Sequence, residues 1–297
     1  MGWDIRNSLA GWDIPGFGRR RWGTFAPSLE CHIGAMHERL TQLGWRIAAL
    51  GWLVLGAALC FAEEASIRLP SGAEVVSQRY PAPGKVLAVW LTGQYGFIEE
   101  EHKAAADMAA RGVETWMTDF FAPYFLPLLP SSWNRVPDGD LADWLESLRQ
   151  RNPERRIVLV STGRAASLAL RATKSWRERF GKPESEAVAG AVMLYPLLYQ
   201  ELAPGEEPEY DPVVKDARLD LVILQPKSSA GYWWRERLKG FLEAAGSQVR
   251  LNVLPGLRDG FYRRADITEQ EVAAGRRLGQ IVLDGLQPLI EKIQPKP

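Results

Sequence analysis

From Ser66 onward, short runs rich in Val, Ile and Leu alternate with stretches whose apolar residues recur at helical spacing. Six runs read as strands: Val86 to Leu91, Val113 to Asp119, Ile157 to Ser161, Val188 to Tyr195, Leu221 to Gln225 and Val249 to Leu254. Their apolar residues are consecutive rather than alternating, the pattern of strands covered on both faces by helices in a parallel sheet. Two earlier pieces, Ser66 to Leu69 and Glu74 to Tyr80, flank Pro70, Ser71 and Gly72 and read as an antiparallel hairpin at the sheet edge.

Between the strands, Glu100 to Arg111 predicts a helix stopped by Gly112. Asp140 to Gln150 places Leu141, Trp144, Leu145 and Leu148 on one face, and Trp233 to Ala245 does the same with Leu238, Phe241 and Leu242. A last helix opens on Thr268 and Glu271, a capping-box pair, and is expected to run to about Ile293. Regular β-α alternation predicts an α/β domain: a doubly wound, mostly parallel sheet with an antiparallel N-terminal hairpin and helices on both faces. Two longer loops, Phe121 to Pro137 and Leu198 to Val213, each follow a strand, at the carboxyl edge where ligands bind in such sheets.

Upstream, the run Ile47 to Ala62 follows Arg39 and Arg46 and leads into Glu63 and Glu64. A charged start, an apolar middle and a small-residue exit are the parts of a secretory signal, and the run is shorter than the roughly 20 residues of a typical span. The expected organisation is therefore residues 1–35 as a disordered or untranslated upstream stretch, with Met36 as the true start, residues 36–62 as a signal peptide, and residues 63–297 as one domain. Export to the periplasm or envelope follows, with membrane attachment only through an uncleaved signal segment.

Composition narrows the chemistry. Thirty-six basic residues balance thirty-six acidic ones, so net charge provides no drive toward nucleic acid. Cys31 and Cys60 both precede residue 63, as do His32 and His37. A processed domain would carry no thiol and one histidine, His102, too few for a zinc site of the usual Cys/His kind. No metal and no cofactor are expected, and His102 is expected as an exposed residue early in its helix.

Four segments carry what chemistry the sequence offers. Ile157 to Leu170, IVLVSTGRAASLAL, is a strand entering a helix through a small-residue turn. Asn252 to Arg264, NVLPGLRDGFYRR, follows the last strand; LDLVILQPKSSAGYW follows its predecessor; and LTGQYG, Leu91 to Gly96, is a glycine turn after a central strand. With the order of elements, these resemble the α/β-hydrolase superfamily, particularly its exported esterases and dienelactone-hydrolase-like members. The resemblance implies a G-x-S-x-G turn holding a serine nucleophile above the sheet, with oxyanion donors nearby. It places Gly163 at the nucleophile position, Asp259 at the histidine position, and Gln225 to Ser229 where the acid would lie, with Ser228 as the degenerate acid residue. Thr92 and Gln94 fall on the oxyanion turn.

Loss of nucleophile and base together removes most of the acceleration of a serine hydrolase. The sequence therefore predicts a non-catalytic α/β-hydrolase-like protein, a pseudoenzyme, whose cleft binds a small molecule or an envelope partner through Thr92, Gln94, Tyr95, Gly163, Arg164 and Asp259. Arg164, at a helix N-terminus, suggests an anionic ligand. Two alternatives stay open. One is a divergent carboxylesterase or peptidase with relocated groups: Ser161 or Thr162 with Asp259 or Asp119, or Ser228 or Ser229 with Lys227. The other is an assembly protein docking through the aromatic stretch Trp116 to Trp133.

Overall fold

The computed structural model describes residues 62–199 and 207–293. The upstream stretch and the segment read as a signal peptide, up to residue 61, lie outside the described residues. In chain order the elements are β1 (Glu63–Arg68), β2 (Glu74–Tyr80), β3 (Val86–Leu91), α1 (Glu99–Ala110), β4 (Glu114–Asp119), α2 (Asp138–Arg151), β5 (Arg156–Thr162) and α3 (Ala165–Phe180). There follow β6 (Gly190–Leu194), β7 (Asp220–Pro226), α4 (Ala230–Ala244), β8 (Gln248–Leu254), α5 (Glu269–Gly275) and α6 (Leu278–Ile293). The strands form one sheet in the order β1-β2-β4-β3-β5-β6-β7-β8. β1 and β2 pair antiparallel, β2 pairs antiparallel with β4, and every pairing from β4 across to β8 is parallel.

The unbroken apolar runs are explained by the two cores they feed. Along β3, Leu87, Val89 and Leu91 enter a core containing Trp144, Trp176 and Leu168, whereas Ala88 and Trp90 enter a second core with Met108, Phe261 and Val282. Alternate side chains of a strand point to opposite faces, so a strand covered on both sides must be apolar throughout. α2, α3 and α4 cover the first face; α1 and α6 cover the second.

Two expectations need correction. The terminal helix is two helices, α5 and α6, the first ending at Gly275, where an added Cβ would lie 3.2 Å from the Tyr262 Cβ. A glycine at this point is both a weak helix former and small enough for that approach. The aromatic stretch is mostly interior: Trp116, Phe120, Phe121 and Trp133 are buried, leaving Phe125, Leu128 and Leu129 exposed. Among the described residues, no helix is long and apolar enough to cross a membrane.

Candidate functional site

The parallel strands β3, β5 and β6 deliver their following residues to one sheet edge, and there a cavity of about 510 Å³ opens. Gly93, Gln94 and Tyr95 follow β3, Thr162 and Gly163 end β5, Tyr195 and Leu197 follow β6, and Asp259, Gly260, Arg263 and Arg264 come from beyond β8. Gly163 stands at the tip of the strand-turn-helix with φ +56°. Its N–H donates to the Leu194 carbonyl (3.1 Å), and its own carbonyl accepts from the Leu197 N–H (3.0 Å). A Cβ there would meet the Tyr195 ring at 3.6 Å and Leu197 at 3.8 Å, so volume does not require glycine. The left-handed φ does favour it.

Asp259 shares that wall. Its Oδ1 is buried without a hydrogen-bond partner. Burial pushes the carboxyl up to about 6, against the smaller opposing pull of the Ser229 hydroxyl and the Arg264 charge. Ser229 offers limited relief, since its Oγ donates to the Pro226 carbonyl (2.8 Å) and accepts from Gln225 Nε2 (2.7 Å). Ser228, the residue expected at the acid position, is exposed. Its neighbour Ser229, turned inward just before α4, is the serine that reaches Asp259.

Gln94 is the second polar wall residue with an orphaned atom: its Oε1 is buried and unpartnered. Leaving a buried acceptor unpaired costs about 1–3 kcal/mol. The cavity is lined otherwise by Ile98, Leu197 and the aromatic rings of Tyr95 and Tyr195. Tyr195 is itself strained, with φ +40° in a bulky residue, and strained backbone concentrates at functional sites.

Behind this wall lies a buried polar chain that sequence reading missed. Tyr195 Oη meets Tyr262 Oη at 3.0 Å, Tyr262 donates to Glu101 Oε1 (2.9 Å), and Arg263 pairs with Glu101 Oε2 while also donating to the Gly96 carbonyl (2.6 Å). Glu101 is fully buried, and burial raises its carboxyl despite the Arg263 charge beside it. The chain ties the turn that carries Gln94 to the loop that carries Asp259. Glu101 reads locally as an ordinary first-turn acid, and its partners lie 161 and 162 residues away.

Of the residues expected at the site, Gln94, Tyr95, Gly163 and Asp259 line the cavity, whereas Thr92 and Arg164 do not. Thr92 Oγ1 is buried and donates to the Thr118 carbonyl (2.6 Å), stitching β3 to β4. The Arg164 guanidinium donates to the Tyr199 carbonyl (3.2 Å) and faces a neighbouring depression with Trp133 and Asp211. Neither lines the cavity beside Gly163. Ser161 is fully buried in β5, and Asp119 accepts from the Phe121 N–H (2.7 Å), outside the cavity wall; Thr162 alone of those relocated candidates lines it with Asp259. His102 is half-buried rather than exposed, its Nδ1 2.9 Å from Tyr80 Oη, and does not reach the cavity. Among the described residues, no group of three or more His, Cys, Asp or Glu side chains is placed to hold a metal ion.

Comparison with known proteins agrees with this architecture. No protein-family model matches the chain, and no curated protein matches it in sequence. Solved structures match in fold. A protein assigned as a dienelactone hydrolase from Klebsiella pneumoniae subsp. pneumoniae is 17% identical, with a TM-score of 0.52 over 74% of this chain and 98% of its own. An esterase of Pyrobaculum calidifontis is 14% identical, with a TM-score of 0.54 over 75% of this chain and 84% of its own. A thermostable carboxylesterase cloned from a metagenomic library is 15% identical, with a TM-score of 0.52 over 84% of this chain and 98% of its own. The chain has the α/β-hydrolase fold.

Proposed function

We infer that the chain is an α/β-hydrolase-fold protein whose cleft binds a small molecule without forming a serine acyl-enzyme. The observation that carries this is Gly163 at the tip of the turn, where the fold would hold its nucleophile, with the carboxyl of Asp259 on the same wall and no imidazole lining the cavity. Acyl transfer needs a nucleophile and a base in hydrogen-bond reach of each other. What remains is a half-enclosed, largely apolar cavity within the 300–1,000 Å³ range usual for small-ligand sites, with Gln94 and Asp259 among its polar lining residues. The test combines p-nitrophenyl acetate and butyrate turnover, fluorophosphonate labelling, and amide chemical shifts on titration with 3-phenylpropanol. Shifts at Gly93, Gly163 and Gly260 without labelling or turnover are expected; stoichiometric labelling would overturn the reading.

A second reading, hydrolysis with relocated groups, is favoured by two observations. The three structural neighbours described above carry hydrolase or esterase names, and a carboxyl held near 6 suits a general base working close to neutrality. In that reading Asp259 takes a proton from a water attacking an ester carbonyl. Ester turnover that is insensitive to fluorophosphonate and abolished by Asp259→Asn would select it. We also propose that residues 36–62 direct export and are removed, which would place the domain in the periplasm or envelope.

A further inference from the structure

Resting on the binding reading above, we propose that the ligand is an amphiphilic monocarboxylate: its apolar part occupies the cavity beside Gly163, and its carboxylate pairs with Arg164 in the adjoining depression. That depression has a volume of about 350 Å³, and Trp133, Asn134, Arg164, Ser167, Tyr199 and Asp211 are on its wall. Arg164 is half-buried, and among the described residues every other half-buried arginine or lysine pairs with a carboxylate. A cation drawn partly out of water is costly to leave unpaired. Its Nη1 donates to the Tyr199 carbonyl (3.2 Å), whereas Nε and Nη2 donate to nothing among the described residues and lie open to solvent. That free Nε–Nη2 edge is a fork that a carboxylate meets with two parallel N–H···O bonds. Asp211, on the same wall, is engaged elsewhere: its Oδ2 accepts from the Ser167 hydroxyl (2.6 Å) and its Oδ1 from the Val213 N–H (3.0 Å).

Depression and cavity meet at one turn. Leu197 lines both, and its N–H donates to the Gly163 carbonyl (3.0 Å). Gly163 and Arg164 are consecutive, so their Cα atoms stand about 3.8 Å apart. Tyr199 is in electrostatic reach of both compartments: burial raises its phenol, the Asp259 charge raises it further, and the Arg164 charge opposes them. A ligand that spans the turn sets its charge on the unpaired cation and leaves its tail to Ile98, Leu197 and the Tyr195 ring.

Two compounds sharing one tail test this: sodium 5-phenylpentanoate and 5-phenylpentanol, titrated into the purified protein at pH 7.5 and followed by calorimetry and by amide and arginine Nε–H chemical shifts. Both are expected to shift Gly93 and Gly260, and the carboxylate alone to shift the Arg164 Nε–H and Ser167 signals. The carboxylate should bind at least about tenfold more tightly than the alcohol, the margin for a hydrogen bond between charged groups. Arg164→Gln should bring the two within about twofold, and Arg164→Lys, which keeps the charge without the fork, should recover part of the margin. Equal affinity of the two in the wild type, a margin that survives Arg164→Gln, or a carboxylate that leaves Gly93 and Gly260 unmoved while the alcohol shifts them would overturn this inference and leave a binding cleft. Failure of both compounds to bind would overturn the binding reading and this inference with it.

Discussion

Replacing Asp259 by Asn should make the protein more stable at neutral pH, and by an amount that disappears in acid. The carboxyl is held at about 6 instead of its ordinary 3.8, chiefly by burial. At 1.36 kcal/mol for each pH unit of displacement, that corresponds to about 3 kcal/mol between the two protonation states. The sign follows from proton binding. Between pH 4 and 6 the unfolded chain has already ionised at this residue while the folded protein still holds its proton. The stabilisation is therefore complete below pH 4 and is lost as pH rises through about 6. Asparagine resembles the protonated acid in shape and cannot ionise. The variant should match wild type near pH 4 and exceed it by about 2–3 kcal/mol at pH 8, or about 5–10 °C in Tm for a domain of this size. Urea unfolding of both proteins at pH 4, 5, 6, 7 and 8, followed by tryptophan fluorescence, measures the difference directly, and carboxylates common to both proteins cancel. A difference that does not change with pH, or an Asn variant less stable than wild type at pH 8, would refute the reasoning.

Restoring a hydroxyl alone should not restore chemistry: Gly163→Ser is expected to show no fluorophosphonate labelling and no p-nitrophenyl butyrate turnover. It should lose about 1 kcal/mol in urea unfolding, because a serine must then adopt φ +56°. Arg263→Ala leaves the buried Glu101 carboxylate without its cation and should cost about 3–5 kcal/mol. Arg264→Ala removes an exposed pair with Asp266 and a minor charge effect on Asp259 and should cost about 1 kcal/mol or less, so similar losses for the two would contradict the assignment of a buried network. If export proceeds as proposed, N-terminal sequencing of protein from the envelope fraction should begin near Glu63; retention of Met36 would exclude cleavage.

The strands were legible because burial on both faces forces consecutive apolar residues, a signal carried within each segment. Val86–Leu91 and Glu74–Tyr80 coincide with the sequence reading, and the other strands differ by a few residues at their ends. What escaped was set partly by distant contacts. The helix that ends at Gly275 was read through to about Ile293 although glycine is a stop signal, because the apolar spacing resumes from Leu278. A threonine next to a glycine turn can face a ligand or the sheet, and the Thr92 hydroxyl donates to the Thr118 carbonyl. A helix start fixes where the backbone points, while the long Arg164 side chain is free to reach the Tyr199 carbonyl and the neighbouring depression.

The site itself was legible in its backbone and only partly in its chemistry. Gly163 and Asp259 could be matched to family motifs, and the fold brings both onto one cavity wall from points 96 residues apart in the chain. The sequence alone could not reveal that Asp259 lies buried with an unpaired oxygen, because that depends on where Ser229 spends its proton. A carboxylate substituted for an imidazole on a solvated rim would cost little and mean little. In this cleft it raises its own proton affinity and leaves an acceptor unsatisfied beside a second unsatisfied acceptor on Gln94. Two such deficits on one wall, each worth about 1–3 kcal/mol, weigh heavily in a fold whose total margin is typically about 5–15 kcal/mol. Apolar residues of similar shape would remove both deficits, so the stability of the domain does not account for these two groups.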